Sequence, residues 1–356
     1  MKKILTVFIA FMIIIGHTGC ASNSKSSEST PDSSAETVGS AAGESITVSQ
    51  GTTEISEPDE DDYIFEFNPY VITSEYEELY GSEFIQTYNR FVDAYLNFEP
   101  GFECESFDFA QQIFSAARTC FPVFNSDVYS DYENCYDEET GMCYFNYISE
   151  SKSEHEAYIN EFVTKVAEIF NGNIKENDDD VIKAIKIYTA FSSGVTYNYS
   201  ALDESVLTDV SPYNAIINHT GVCQSFSGAY AFLLLQAGID ANICGGLTHD
   251  ASIAHSWTIL KLNGKYYYAD PTFENTETGG YGLLYFGMTT AEREAAGEYD
   301  PYYFNIGSTN EIFARDLTAD DPMFSDLRGC DTYEIDYDSN SIICYGRDGD
   351  TFVLKL

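Results

Sequence analysis

Cations are scarce in this chain. Lys and Arg total 17 against 58 Asp and Glu, which leaves a formal net charge of −41 over 356 residues. Phosphate backbones are bound by clustered cations, so nucleic acid is excluded as a partner. A polybasic membrane patch is excluded on the same ground. Tryptophan occurs once. The apolar run Ile4–Ile15 is 12 residues long, too short to span a bilayer as a helix. Cys-x-x-Cys and His-Glu-x-x-His do not occur, and there is no Gly-rich phosphate loop. Neither zinc nor any nucleotide or redox cofactor is therefore expected. Asp178-Asp179-Asp180 lacks the spacing and the glycine of a calcium loop and reads as a solvated helix start. What is abundant is aromatic: 28 Tyr and 25 Phe, within a hydrophobic share of 44%, enough to bury a sizeable core.

The N-terminus reads as an address. Lys2 and Lys3 precede the short apolar run, which ends at His17-Thr18-Gly19-Cys20. This resembles a bacterial lipoprotein signal. That implies removal of residues 1–19, a lipidated Cys20 and an extracytoplasmic, membrane-anchored protein on the bacterial cell surface. An ordinary secreted protein cleaved nearby is the alternative. No aromatic occurs between Ala21 and Asp62, where Ser, Thr, Glu, Gly and Pro dominate, so residues 20–62 read as a lipidated Cys followed by a disordered tether. As a flexible chain that tether spans roughly 35–40 Å.

From Tyr63 the composition is globular. Ser74-Glu75-Tyr76-Glu77 has the form of a capping box opening a helix through about Leu96, and Ser153-Glu154-His155-Glu156 repeats the signal. Ile159, Phe162, Val163, Val166, Ile169 and Phe170 then recur at helical steps. A further helix is expected from Asp180 to Phe191, with Ile182, Ile185, Tyr188 and Phe191 on one stripe. The alternating stretch Cys135–Tyr147 around Glu139-Thr140-Gly141 predicts a hairpin. Residues 63–175 are thus expected to be mostly helical with a small β element. Thr332–Leu356 alternates, with turns at Asp338-Ser339-Asn340 and Arg347-Asp348-Gly349-Asp350. A C-terminal β extension over 306–356 follows, either continuing a central sheet or forming a separate one.

The chemistry falls between Ser211 and Thr272, inside a region taken as 176–305. From Cys223 the chain reads as a helix closed by Gly238, with Gly221 allowing a sharp entry. Cys223 therefore sits at a helix N-terminus, where unpaired N–H groups favour thiolate over thiol. Alone this is a weak signal, because free Cys is commonly a small buried hydrophobe. Further on, two β-rich runs flank Asn263-Gly264, a strong hairpin signal. If these two residues form the turn, Leu262 pairs with Lys265 and Asp270 falls opposite Trp257. His255 and Asp270 are then diagonal neighbours on one face, roughly 7–8 Å apart at the backbone and within side-chain reach. A sulfur, an imidazole and a carboxylate in these roles make a nucleophile, a base and an orienting group.

The order Gly-Val-Cys-Gln-Ser-Phe, His-Ser-Trp, Tyr-Ala-Asp-Pro-Thr resembles the transglutaminase-like superfamily over roughly residues 180–290. The resemblance implies an α+β fold, with a papain/transglutaminase-like core in which an antiparallel sheet packs on the nucleophile-bearing helix. It implies catalytic roles for Cys223, His255 and Asp270, and thiol-dependent acyl transfer or hydrolysis on protein or peptide amide bonds. Hydrolysis ranks slightly ahead of crosslinking. An upstream side chain is expected to complete the oxyanion hole. Tyr213 is the candidate, with core packing the alternative. Trp257 either stacks on substrate or walls the cleft. The competing reading is a surface binding module that keeps the fold without turnover. His219 and His249 read as polar loop residues and His155 as solvated. Among the remaining cysteines, Cys135 with Cys143 is the most plausible local disulfide, and none is assigned.

Overall fold

The computed structural model describes residues 63–128, 135–202, 210–248, 254–297, 299–303 and 318–356. Residues 1–62, on which the expected signal, the lipidated Cys20 and the expected tether fall, lie outside the described residues, as does His249. Among the described residues, no helix is long and apolar enough to cross a membrane. Helices and antiparallel sheets are mixed in an α+β arrangement.

Five helices and a small sheet come first. They are α1 (Ser74–Tyr80), α2 (Ser82–Leu96), α3 (Phe107–Cys120), α4 (Pro122–Asp127) and α5 (Lys152–Phe170). The sheet is built from β1 (Gly101–Glu103), β2 (Tyr136–Asp137) and β3 (Met142–Tyr144) in the order β1-β3-β2. The predicted hairpin is β2–β3, and Gly141 in its turn has φ 69°.

The helix expected from Ser74 to Leu96 is broken at Gly81, where φ 78° leaves the helical region. Ser74 is not its own cap. Its backbone N–H and its hydroxyl both donate to the Asp240 carboxylate, so a residue far along the chain closes this helix end. The cap of α5 lies two residues earlier than predicted. Ser151 accepts from the N–H of Glu154 at 3.3 Å, and Glu154 in turn accepts from the N–H of Glu150.

His155 is a correction. It is fully buried, with Nδ1 2.6 Å from Asp127 Oδ2 and Nε2 2.7 Å from the Tyr95 carbonyl oxygen. The exposed face predicted for it packs on α2 and α4, and burial is possible because both ring nitrogens find acceptors. The acidic run is partly corrected as well. Asp179 caps the next helix and is exposed, whereas Asp178 is buried against Lys186 at 2.6 Å and the Tyr337 hydroxyl at 3.0 Å.

Next come α6 (Asp180–Gly194), β4 (Thr196–Tyr197), α7 (Pro212–Ile217), β5 (Thr220–Gly221) and α8 (Cys223–Gln236). The four-stranded antiparallel sheet is made of β6 (Ala241–Thr248), β7 (Ala254–Leu262), β8 (Lys265–Ala269) and β9 (Tyr299–Tyr303), in the order β8-β7-β6-β9. Two helices, α9 (Pro271–Thr278) and α10 (Thr290–Gly297), lie between β8 and β9 in sequence. Every residue of α8 except Gln224 is buried. A helix apolar all round must be enclosed on all sides. Here the sheet covers one side and the N-terminal helices cover others. Thr258 on β7 donates to the Ser227 carbonyl at 2.9 Å, and Phe162 of α5 lies 5.6 Å from Phe232. One continuous hydrophobic cluster runs from Val71 to Leu354, so residues 63–175 share their core with the sheet-bearing region.

The last strands, β10 (Thr332–Asp336), β11 (Ser341–Tyr345) and β12 (Thr351–Lys355), form a separate three-stranded antiparallel sheet. Asn340 (φ 47°) and Gly349 (φ 84°) sit in the two predicted turns. A Cys330–Cys344 disulfide ties this sheet to the segment before it.

Candidate active site

Three segments build the site. The first is the start of α8. Val222 at its N-cap has no side-chain acceptor, and the Ser225 hydroxyl instead accepts from the Val222 N–H at 3.2 Å. The first-turn N–H groups of Cys223 and Gln224 have no carbonyl within the helix, and their partial positive charge lies at the sulfur. Gly221 serves here by its lack of a side chain. A Cβ on it would fall 2.4 Å from the Ser225 Cβ, and its φ is not positive, so space rather than backbone freedom requires glycine.

The second segment is the β7–β8 hairpin. Asn263 (φ 51°) and Gly264 (φ 77°) form its turn, with the left-handed backbone at both positions that a tight two-residue hairpin needs. Leu262 pairs with Lys265, and the ladder continues in the predicted register to Thr258 opposite Ala269.

Asp270 then leaves the strand and becomes the N-cap of α9. Its Oδ1 accepts from the N–H groups of Thr272 at 3.1 Å and Phe273 at 3.0 Å. Its backbone N–H donates to the Tyr285 carbonyl at 2.9 Å, and the Tyr188 hydroxyl donates to its own carbonyl at 3.0 Å. This leaves Oδ2 aimed at His255, whose Nε2 is 2.7 Å away. The imidazole also shares a hydrogen bond with the Cys223 sulfur. Cys223, His255 and Asp270 therefore converge, with Cys223 and His255 each 7% exposed and Asp270 fully buried.

The charges of the three groups are coupled. Burial disfavours the imidazolium, but the Asp270 carboxylate and the Cys223 sulfur outweigh it and raise His255 from 6.5 to about 9. Burial alone would raise the Cys223 thiol. The His255 hydrogen bond and charge, together with the N–H of Ser256, reverse that and hold the thiol below its ordinary range. Burial likewise opposes ionisation of Asp270, and His255, Arg293 and the Phe273 N–H pull it below the usual carboxylate range. The arrangement favours a thiolate–imidazolium pair backed by a carboxylate.

Residues 168–271 match the family model of the transglutaminase-like superfamily. This segment is a transglutaminase-like domain. Cys223, His255 and Asp270 all lie within it. Among solved structures, similarity extends to a crystal structure of a transglutaminase (14% identity, 35% of this chain and 34% of that one, TM-score 0.28). A proposed cysteine protease from Cytophaga hutchinsonii is similar at 18% identity over 32% of this chain and 37% of that one, with a TM-score of 0.25. The chain thus spans about a third of the length of each. A search of curated proteins returned no match.

Two residues near the transglutaminase-like core behave differently from the oxyanion and substrate roles considered for them. Tyr213 stacks on Tyr158 at 5.2 Å and on Phe162 at 5.5 Å, and its hydroxyl bonds to that of Tyr158. Its ring fills the α7–α5 contact, so core packing replaces the oxyanion role. Trp257 is fully buried, with its ring tilted against that of His255 at 6.0 Å, so it walls the site.

Two neighbours were not found by sequence reasoning. Phe273 stacks on the His255 ring at 4.7 Å. The Arg293 side chain is fully buried, with Nη2 3.1 Å from Asp270 Oδ2. The Asp-Pro-Thr-Phe order carries a signal for the first, since Asp at an N-cap followed by Pro reads as a helix start. Nothing local flags Arg293, which is 23 residues from its partner along the chain.

Proposed function

We propose that the protein is a thiol-dependent acyl-transfer enzyme or hydrolase acting on protein or peptide amide bonds, with Cys223 as nucleophile, His255 as general acid and base, and Asp270 as the group that orients it. The observation that carries this reading is the placement of one imidazole between a sulfur and a buried carboxylate, with the thiol pulled down and the imidazole pushed up.

The Cys223 thiolate attacks the carbonyl carbon of a carboxamide or peptide bond. The oxyanion that forms is met by the N–H groups at the start of α8, where a single donor is worth about 3 kcal/mol. As the carbon–nitrogen bond breaks, the His255 imidazolium gives its proton to the departing nitrogen and a thioester remains on Cys223. Neutral His255 then takes a proton from water or an amine as that nucleophile attacks the thioester. The thiolate leaves and the imidazolium is restored. Asp270 holds the ring in one orientation through both halves. Hydrolysis is slightly favoured over crosslinking. The acidic surface favours basic or neutral substrates.

The reading includes an extracytoplasmic location, with lipidated Cys20 as membrane anchor and residues 21–62 as spacer, supported by the signal-like N-terminus. Rapid labelling of Cys223 by iodoacetamide that is lost in His255→Ala supports the enzyme. Slow labelling indifferent to His255 would sink it in favour of a binding module. Incubation with casein and a fluorescent amine then separates transfer, which yields labelled casein, from hydrolysis, which does not.

A further inference from the structure

Behind the carboxylate lies a cation that the reaction scheme does not use. Arg293 sits on α10, beyond the residues 168–271 that match the superfamily. Its side chain is completely buried, and its guanidinium packs over the Trp257 ring at 4.4 Å and the Phe273 ring at 5.0 Å. Those two rings also lie against His255, Trp257 tilted at 6.0 Å and Phe273 stacked at 4.7 Å. Nη2 reaches the same carboxylate oxygen, Asp270 Oδ2, that His255 Nε2 contacts. The guanidinium and the imidazole therefore share one oxygen and two aromatic walls.

We propose that Arg293 is a positioning residue of this site: bound to Asp270 Oδ2 and packed on Trp257 and Phe273, it keeps the carboxylate ionised and aimed at His255, and so sets the pH range over which Cys223 stands as a thiolate. The inference rests on the catalytic reading of Cys223, His255 and Asp270.

In the reactive state the set holds a thiolate, an imidazolium, a carboxylate and a guanidinium, and these charges cancel. A buried cluster with no net charge is far less costly than one left with an unmatched charge. Without the guanidinium the cluster carries a net negative charge, and each member binds a proton more tightly. The proton that abolishes the thiolate is then taken up at higher pH.

The other ionisable groups around the cluster do not supply the missing cation. Arg328 is a second cation beside Tyr188, Glu274 and Tyr285, but it donates to the Leu284 and Phe286 carbonyls and pairs with Glu292 of α10, whereas Asp270 is pulled down by Arg293. Tyr188 on α6, Tyr285 and Cys244 on β6 are all pushed up by burial and remain neutral near pH 7. Glu274 on α9 is an acid, held by the Tyr285 N–H and the Thr278 and Tyr188 hydroxyls. It is the same in every variant compared.

The test is the rate of Cys223 alkylation by iodoacetamide across pH in the full chain, with circular dichroism as the check on folding. Arg293→Met is expected to move the acid limb up by about one pH unit while reaching the wild-type rate at high pH. Arg293→Lys, which keeps the charge, is expected to stay within a few tenths of a unit of wild type. If Arg293→Met does not fold, Arg293→Gln takes its place with the same expected shift, since it keeps a donor toward Asp270 without the charge. A limb unchanged in the uncharged variant while His255→Ala differs from wild type overturns the role of Arg293. Equal shifts in the Lys and uncharged variants also overturn it, because charge is then not the cause. If wild type and His255→Ala coincide, the catalytic reading itself has failed.

Discussion

His255 Nε2 lies 2.7 Å from Asp270 Oδ2 although the β7–β8 ladder ends at Thr258 and Ala269, before either residue is paired. The pairing of Thr258 with Ala269 delivers the chain to the right place. The start of α9 then turns the carboxylate inward, because its other oxygen is committed to two helix N–H groups. Register supplies proximity, and the cap supplies direction.

The ion pair gives stability a defined pH dependence. The folded chain holds the His255 proton to about 9, whereas an ordinary His releases it near 6.5. A group whose folded value is raised contributes fully below the lower value and loses that contribution as pH climbs through the upper one. In wild type the lowered Cys223 thiol offsets this, because folded and unfolded chains then hold the same number of protons on the pair. The loss is exposed in a Cys223→Ser background, which should lose on the order of 1 kcal/mol more stability between pH 6.5 and 9 than the same background carrying His255→Gln. Urea denaturation of both proteins at the two pH values measures the difference. Parallel losses would refute it.

Gly221→Ala should disturb the nucleophile without touching it. The added methyl would meet the Ser225 side chain at 2.4 Å, and that side chain holds the Val222 N–H and the Val210 carbonyl. Overpacking of this kind costs about 1–3 kcal/mol. Because it displaces the first turn of α8, the alkylation rate of Cys223 should fall along with the melting temperature. A drop in stability with unchanged reactivity would mean that the turn absorbs the strain elsewhere.

Much of the site is legible in the sequence because it is local. Asn263-Gly264 sets a hairpin whose register follows by counting, and Gly238 closes a helix whose first residue is Cys223. What could not be read depends on distant partners. His155 looks like a first-turn polar residue until Asp127 and the Tyr95 carbonyl are found beneath it. Ser74 looks like a cap until Asp240 takes that task. Tyr213 carries no mark of whether its ring faces a cleft or a helix, and Phe162 decides it. Arg293 is one more charge on a short acidic helix until Asp270 is placed beside it. Periodicity reports burial on average, and single polar residues escape it.

His155→Ala should be severe. It removes one partner of a fully buried pair and leaves the Asp127 carboxylate with Ser149 and the Tyr95 hydroxyl as its remaining contacts. Leaving a buried polar group without its hydrogen-bond partner costs about 1–3 kcal/mol, and the lost ring packing adds to it. Chemical denaturation should show that loss. The double variant His155→Leu with Asp127→Asn should recover part of it, since Leu refills the space of the ring and the Asn amide can still accept from Ser149.

Cys135 and Cys143 face each other across the β2–β3 hairpin with their sulfurs 3.5 Å apart, both reduced and both buried. Incubation with oxidised glutathione should join them. Peptide mapping without reductant should then recover a linked Cys135–Cys143 peptide, and the intact chain should lose two hydrogens. Recovery of both as free thiols after prolonged oxidation would show that burial shields them from exchange.

The helix that begins with Cys223 is walled on one flank by the sheet and on another by Phe162 and Phe67, both of which lie before residues 168–271 that match the superfamily. Gln236 at its far end is clasped by the backbone of Asn68 through both an N–H and a carbonyl. Trimming the polypeptide down to the recognisable family segment would strip that flank bare and expose Phe232 to water. The segment that matches the superfamily and the smallest piece able to fold are therefore different lengths of chain, and an expression fragment meant to keep the thiol reactive should start no later than Tyr63, whose ring stacks on Phe170.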